Sequence, residues 1–121
     1  MRVKAEGSEM LLRLMSAATM RGVVLANNIA SQSMPGYRRL DVVFEETLRN
    51  AIEKGSNQRA LDELRPEIEI DFDREPRADG NNVSPEEERT MLRENRLRYE
   101  LYAAMLSCRS RLLSQAINST T

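Results

Sequence analysis

Residues 10–30 read MLLRLMSAATMRGVVLANNIA, and the fold turns on how that stretch is interpreted. Nothing in it breaks a helix except Gly22, which an isolated helix tolerates at a cost of about 1 kcal/mol relative to Ala. Leu11, Leu14, Met15, Ala18, Leu25 and Ile29 recur at three- and four-residue steps, so a helix presents them on one face. Yet 14 of these 21 positions are apolar and only Arg13 and Arg21 are charged. That stripe is wider than one partner helix covers, and a helix apolar nearly all round must be buried nearly all round. The chain is short, so the expectation is that other subunits supply the missing cover. Upstream, Ser8 is the expected N-cap, with Glu9 in the favourable first turn.

Working outward, the next clear signal begins at Ser84. Ser84-Pro85-Glu86-Glu87 combines an N-cap serine, proline at the first helical position and a glutamate three residues after the cap, which is a capping box. Glu86, Glu87 and Glu88 sit at the positive end of the helix dipole, and Arg109 and Arg111 lie toward the negative end. Leu92, Tyr99, Leu106 and Leu113 repeat every seven residues, with Arg96, Ala103, Ser110 and Ile117 expected four residues after each as the second rung of a heptad-like seam. Over residues 84–118 such a helix is roughly 50 Å long at 1.5 Å per residue, a rod rather than part of a compact globule.

Between these helices, residues 31–83 are mixed. Met34-Pro35-Gly36-Tyr37 places Pro and Gly as a type II turn requires, and residues 44–53 read as a short helix. Glu67-Ile68-Glu69-Ile70-Asp71-Phe72-Asp73 alternates strictly, which puts Ile68, Ile70 and Phe72 on one face of a strand. From Asp62 to Asp79 there are eight acids against three arginines, so this part is expected to face outward and to be mobile in the isolated chain. Asp79-Gly80-Asn81-Asn82 supplies turn chemistry ahead of the second long helix. The expected organisation is a helix over 1–30, a middle segment over 31–83 and a helix over 84–121. The fold class is mainly α, with a possible β element in the middle.

Composition narrows function. The 121 residues suit one domain; 31% are charged, five are aromatic, and there is neither His nor Trp. Without histidine the commonest general base and metal ligand are missing, and no pair of carboxylates comes with a nucleophile or pocket logic. No catalytic residue, cofactor or metal site is therefore expected. The acid run matches no EF-hand spacing, and Cys108 reads as an inert small side chain. A net charge of −1 offers no field for nucleic acid. Residues 1–7 lack an apolar signal-peptide core, and no apolar run is long enough to span a membrane.

Leu25-Ala26-Asn27-Asn28-Ile29-Ala30, then Pro35-Gly36-Tyr37-Arg38-Arg39 and Asp41-Val42-Val43-Phe44-Glu45, resemble the N-terminal signature of the bacterial flagellar axial proteins, the rod and hook family. Asp79-Gly80-Asn81-Asn82-Val83, Glu94-Asn95-Arg96-Leu97-Arg98-Tyr99 and Leu112-Leu113-Ser114-Gln115-Ala116-Ile117 are similar to the small proximal rod members of that family. The chain departs from the family at Ser31, where Asn is usual, at Met34, where Thr is usual, and in a shorter middle segment.

The resemblance implies a fold in which the terminal helices pair as an antiparallel coiled coil lining an axial tube while the middle segment projects outward. It implies a structural subunit of the basal body that polymerises into the proximal rod, transmits torque and encloses the export channel. Implied partners are other rod proteins, the basal-body adaptor protein, the membrane ring and export gate, and further copies of itself. The implied location is the periplasmic rod, reached by flagellar type III export without a cleaved signal.

Two kinds of site residue follow. Leu11, Leu14, Ala18, Leu25, Ile29, Leu92, Tyr99, Leu106, Leu113 and Ile117 form the expected coiled-coil and assembly seam. Ala26, Asn27, Asn28, Ile29, Ala30, Pro35, Gly36 and Tyr37 form the axial-protein motif. For Asn27 and Asn28 two readings stand open, capping of the helix end or hydrogen bonds to a neighbouring subunit. The Pro35-Gly36-Tyr37 turn likewise either packs locally or docks on the next subunit. A competing class of function is a cytoplasmic coiled-coil adaptor or regulatory module, which predicts a discrete oligomer and a cooperative melt.

Overall fold

The computed structural model describes the backbone of residues 2–119 and the side chains of residues 7–119. Met1 and residues 120–121, the outer ends of the two expected helices, lie outside the described residues. In chain order the elements are α1 (Arg2–Ala30), β1 (Leu40–Val43), α2 (Glu45–Glu53), α3 (Gln58–Glu63), β2 (Glu67–Ile70) and α4 (Pro85–Ser119). The chain is mainly helical, and the long N- and C-terminal helices pack against each other. They run antiparallel: Gly7 lies against Arg109, Ala18 against Asn95 and Asn28 against Glu88.

α1 starts earlier than its sequence suggests. Ser8, the expected N-cap, is inside the helix, which is already helical from Arg2. Gly7 does not end it, and the guanidinium of Arg109 from α4 lies over it.

The wide apolar stripe of α1 is divided between two internal partners. One edge, carrying Leu11, Ala18, Leu25 and Asn28, meets α4. Another meets the middle segment, where Ala17 packs with Phe44 and Leu48 and is flanked by Met10, Leu14, Leu61 and Leu64. Burying a side chain such as Phe44 is worth about 2–3 kcal/mol. The chain thus covers part of the surplus itself, while Leu12, Val23, Ala26 and Ala30 remain exposed. Part of the middle segment folds back over α1 through α2 and α3, while residues 67–79 of the acidic run are mostly exposed. The two arginines of residues 10–30 hold the folded-back part there: Arg13 donates to the Leu61 carbonyl at 3.1 Å, and Arg21 binds Glu45 and the Val42 carbonyl. α3 was not expected; its local signal is Asn57, whose side chain caps the Ala60 N–H.

β1 and β2 form a two-stranded antiparallel sheet with Leu40 opposite Ile70 and Val42 opposite Ile68. The expected strand thus exists but stops at Ile70, and its partner is a stretch that the sequence did not mark as a strand. Asp71 ends it by turning its carboxylate onto the N–H groups of Asp73 and Arg74.

Candidate assembly site

From the middle of the hairpin to the end where α1 stops and α4 starts, seven polar side chains are buried: Arg21, Asn28, Arg39, Asn81, Asn82, Glu88 and Asn95. Buried polar groups are tolerated only when paired, and among the described residues no buried side-chain nitrogen or oxygen lacks a partner. Arg39 and Glu88, 1% and 0% exposed, form the centre, with Nε donating to Oε1 at 2.5 Å. Asp71 accepts from the same guanidinium at 2.9 Å. Residues before β1, after β2 and in the first turn of α4 are thereby held by one planar cation, a geometry that suits arginine rather than lysine.

Asn28 uses its whole amide. Its Nδ2 donates to the Leu40 carbonyl at 2.8 Å and to Glu88 at 3.1 Å, while its Oδ1 accepts from the Leu40 N–H and the Tyr37 hydroxyl, both at 2.9 Å. The side chain therefore continues the sheet ladder onto α1. Asn81 treats the other end of the junction in the same manner. Its Nδ2 donates to the carbonyls of Ser31, Gln32 and Met34, closing the C-terminus of α1 from a loop 50 residues away. Asn82 accepts from the Arg39 N–H at 2.7 Å and donates to the Asp71 carbonyl at 2.8 Å.

The Pro35-Gly36-Tyr37 turn closes with the Tyr37 N–H donating to the Met34 carbonyl, and Gly36 has φ 75°, which favours glycine. Gly80, at φ 85°, crosses it so closely that a Cβ on Gly80 would stand 3.1 Å from the Gly36 Cα. The Gly36 N–H donates to the Asp79 carbonyl at 2.8 Å, so the two turns interlock.

Electrostatics follow the pairing. Burial pushes the Asp71 carboxyl up, but the Arg39 guanidinium and the Asp73 and Arg74 N–H groups outweigh it and hold Asp71 below its ordinary value. Burial of Glu45 is likewise overcome by the fork from Arg21, and its pKa is lowered. For Arg39, burial opposes the charge while bonds to Glu88 and Asp71 raise its pKa, so it stays a cation.

The expected seam residues separate into two sets. Leu11, Ala18 and Leu25 are buried, and Leu14, Ile29, Leu92, Leu106 and Leu113 are half-buried. Tyr99 is 40% exposed and Ile117 60% exposed in the single chain. After Leu92 and Leu106 the inward residue comes three positions on, not four: Asn95 is buried and Arg109 half-buried while Arg96 and Ser110 are exposed; after Tyr99 both Tyr102 and Ala103 are half-buried, and after Leu113 both Ala116 and Ile117 are exposed. The displacement follows from the polar partners that α1 offers, since Asn95 donates to the Ala18 carbonyl at 2.7 Å. Of the axial-protein motif, Asn28 is buried, Ile29 and Tyr37 are half-buried, and Ala26, Asn27, Ala30, Pro35 and Gly36 are exposed. Asn27 makes one exposed bond, to the Tyr37 hydroxyl at 3.2 Å. The capping box at Ser84 loses its glutamate, because the Glu87 carboxylate is taken by Arg74. Arg39, Glu88, Asn81 and Asn82 were not among the expected site residues; the signal available for them was only a surplus of Asn, Glu and Arg beside turn residues.

Both long helices also carry an outward stripe. On α1, Leu12, Ser16, Thr19, Val23, Ala26 and Ala30 are all exposed, follow steps of four and three, and include no charge. On α4, Leu97, Leu101, Ala104, Met105, Cys108 and Leu112 form a second exposed stripe, roughly 130° round the helix from the side facing α1.

The chain is thus a helical hairpin held by a buried ion-pair network, with one uncharged stripe on the outer side of each long helix. No family model matches the chain. It is similar to the flagellar basal body rod protein FlgB of Escherichia coli (strain K12), with 29% identity over 103 residues spanning 72% of this chain and 75% of that protein. The FlgB of Shigella flexneri matches to the same extent.

Proposed function

We propose that this protein is a structural subunit of the bacterial flagellar basal-body rod. The observation that carries the proposal is the pair of uncharged outward stripes on α1 and α4 of a hairpin whose own core is already closed. Once the internal seam is satisfied, apolar surface of that length gains by meeting further helices. Similarity to rod proteins named FlgB supports the same reading.

In finer terms, the subunit joins the proximal rod, contacting other rod proteins, the basal-body adaptor protein and the membrane ring and export gate. Contacts between unlike faces do not close on themselves and generate a helical tube, which encloses the export channel and transmits torque. Its place is periplasmic, reached by export without a cleaved signal; no helix among the described residues is long and apolar enough to cross a membrane. Deleting the gene in its native bacterium tests this. Loss of rod, hook and swimming, restored by the intact gene, is expected, whereas normal basal bodies in the deletion strain overturn the proposal.

A further inference from the structure

The sheet has one edge that the helices do not use. In the observed register, Asp71 donates its N–H to the Arg39 carbonyl, so Arg39–Asp71, Asp41–Glu69 and Val43–Glu67 are the hydrogen-bonded pairs. The backbone N–H and C=O groups of Leu40, at the alternate position on β1, point to Asn28. Those of Ile68 and Ile70 on β2 therefore point the opposite way, to solvent, and all four residues of β2 are exposed.

Side-chain chemistry distinguishes the two faces of this edge. Ile68 and Ile70 lie on the face of Val42, which is buried, but are themselves 53% and 52% exposed, followed by Phe72 at 71%. Arg38 covers Phe72 only in part, with its guanidinium carbon 5.9 Å from the ring centroid. On the other face, Asp41, Glu69, Asp71 and Asp73 with Arg74 line a depression of about 360 Å³. Arg39 pairs with Asp71 and Asp41, and Arg74 also reaches Asp71, so the negative surplus of the depression rests on Glu69 and Asp73.

We infer that the open edge of β2 receives an extended segment of a partner protein with alternating apolar and basic side chains. The segment adds a third strand through the outward groups of Ile68 and Ile70, covers the isoleucines and Phe72 with its apolar residues, and places a lysine or arginine in the acidic depression. Charge selects this occupant over a second copy. Pairing two β2 strands antiparallel with the isoleucines on a common face sets glutamate opposite glutamate, which is destabilising. The inference concerns the isolated chain and stands apart from the rod assignment.

The probe is a fluorescein-labelled (Lys-Val)4 peptide titrated into the full chain, with amide shifts followed by NMR. Saturable binding that moves the Ile68 and Ile70 amides is expected, with no binding of (Glu-Val)4. A version of the probe with a central proline should bind at least tenfold more weakly. The Glu69→Lys/Asp73→Lys chain should lose at least tenfold for the lysine peptide and gain binding of (Glu-Val)4. Ile70→Pro, which removes an outward N–H and no ladder bond, should lose at least tenfold. Equal affinity of the proline-containing probe, no binding at millimolar peptide, or dimerisation of the chain through β2 that Ile70→Pro abolishes would each overturn the inference.

Discussion

Arg39 and Glu88, 49 residues apart in sequence, meet as a nearly solvent-free ion pair at 2.5 Å and join the entry to β1 with the first turn of α4. Removing one partner of such a pair strands the other as a buried charge, at a cost of about 3–5 kcal/mol. Glu88→Ala should therefore lower the unfolding free energy read from a urea titration by that amount, with Asn28 also losing its acceptor. Glu86→Ala, one turn-mate away and exposed, should change stability by about 0.5 kcal/mol or less. Similar midpoints for the two variants would show that the pair contributes nothing to the hairpin.

Glu86, Glu87 and Glu88 look alike in sequence, as three acids at a helix start, and this shows what sequence could and could not disclose. The two long helices, the short helix after Phe44, the Pro35-Gly36 turn and the strand at Glu67 were legible because each depends on local periodicity or backbone preference. Which glutamate becomes the buried anion depends on where residue 39 arrives after the chain has folded back. No local pattern encodes that. The same limit explains the second rung of α4: Asn95 faces inward because the Ala18 carbonyl is there to accept its hydrogen bond. Likewise, the apolar width of residues 10–30 signalled a need for cover without distinguishing a neighbour from the chain's own α2 and α3.

Asn27 and Asn28 resolve differently. Asn28 has both amide hydrogens donated and two bonds accepted within the chain, so it has no capacity left for a neighbouring subunit. Asn28→Ala orphans the buried end of the sheet ladder, and unpaired buried groups cost about 1–3 kcal/mol each. Thermal melts of the purified chain should show that loss for Asn28→Ala and a change within about 0.5 kcal/mol for the exposed Asn27→Ala. The reverse order would assign the structural role to Asn27.

Acid should loosen the junction in a defined direction. Glu45 and Asp71 both have pKa values depressed in the folded chain by their arginine partners, Arg21 and Arg39. A group depressed on folding contributes stability that is fully present above its unfolded value, about 4, and is lost as pH falls through its folded value. Urea midpoints should be flat from pH 7 to 5 and decline below about pH 4. In Glu45→Gln the decline should be shallower, because one of the titrating pairs is already gone. A decline of undiminished slope in that variant would remove Glu45 from the acid response.

The last prediction separates folding from assembly, using neighbours in sequence on opposite faces of α1. Leu25 is 1% exposed and Val23 68% exposed. Leu25→Asp places an unpaired charge in the internal seam, which costs several kcal/mol and should unfold the hairpin before any question of incorporation arises. Val23→Asp adds its charge to the outer stripe, where the isolated chain leaves it in water, and its melt should lie within about 0.5 kcal/mol of the unsubstituted protein. In an assembled rod the same carboxylate meets the apolar surface of an adjacent helix, so Val23→Asp, and Leu101→Asp on the α4 stripe, should fail to support rod assembly and swimming despite being folded. Complementation of the deletion strain, read alongside the melts, checks this. Full motility with either variant would show that these stripes remain solvent-facing in the rod, and the contacts between subunits would then have to run through another surface of the hairpin.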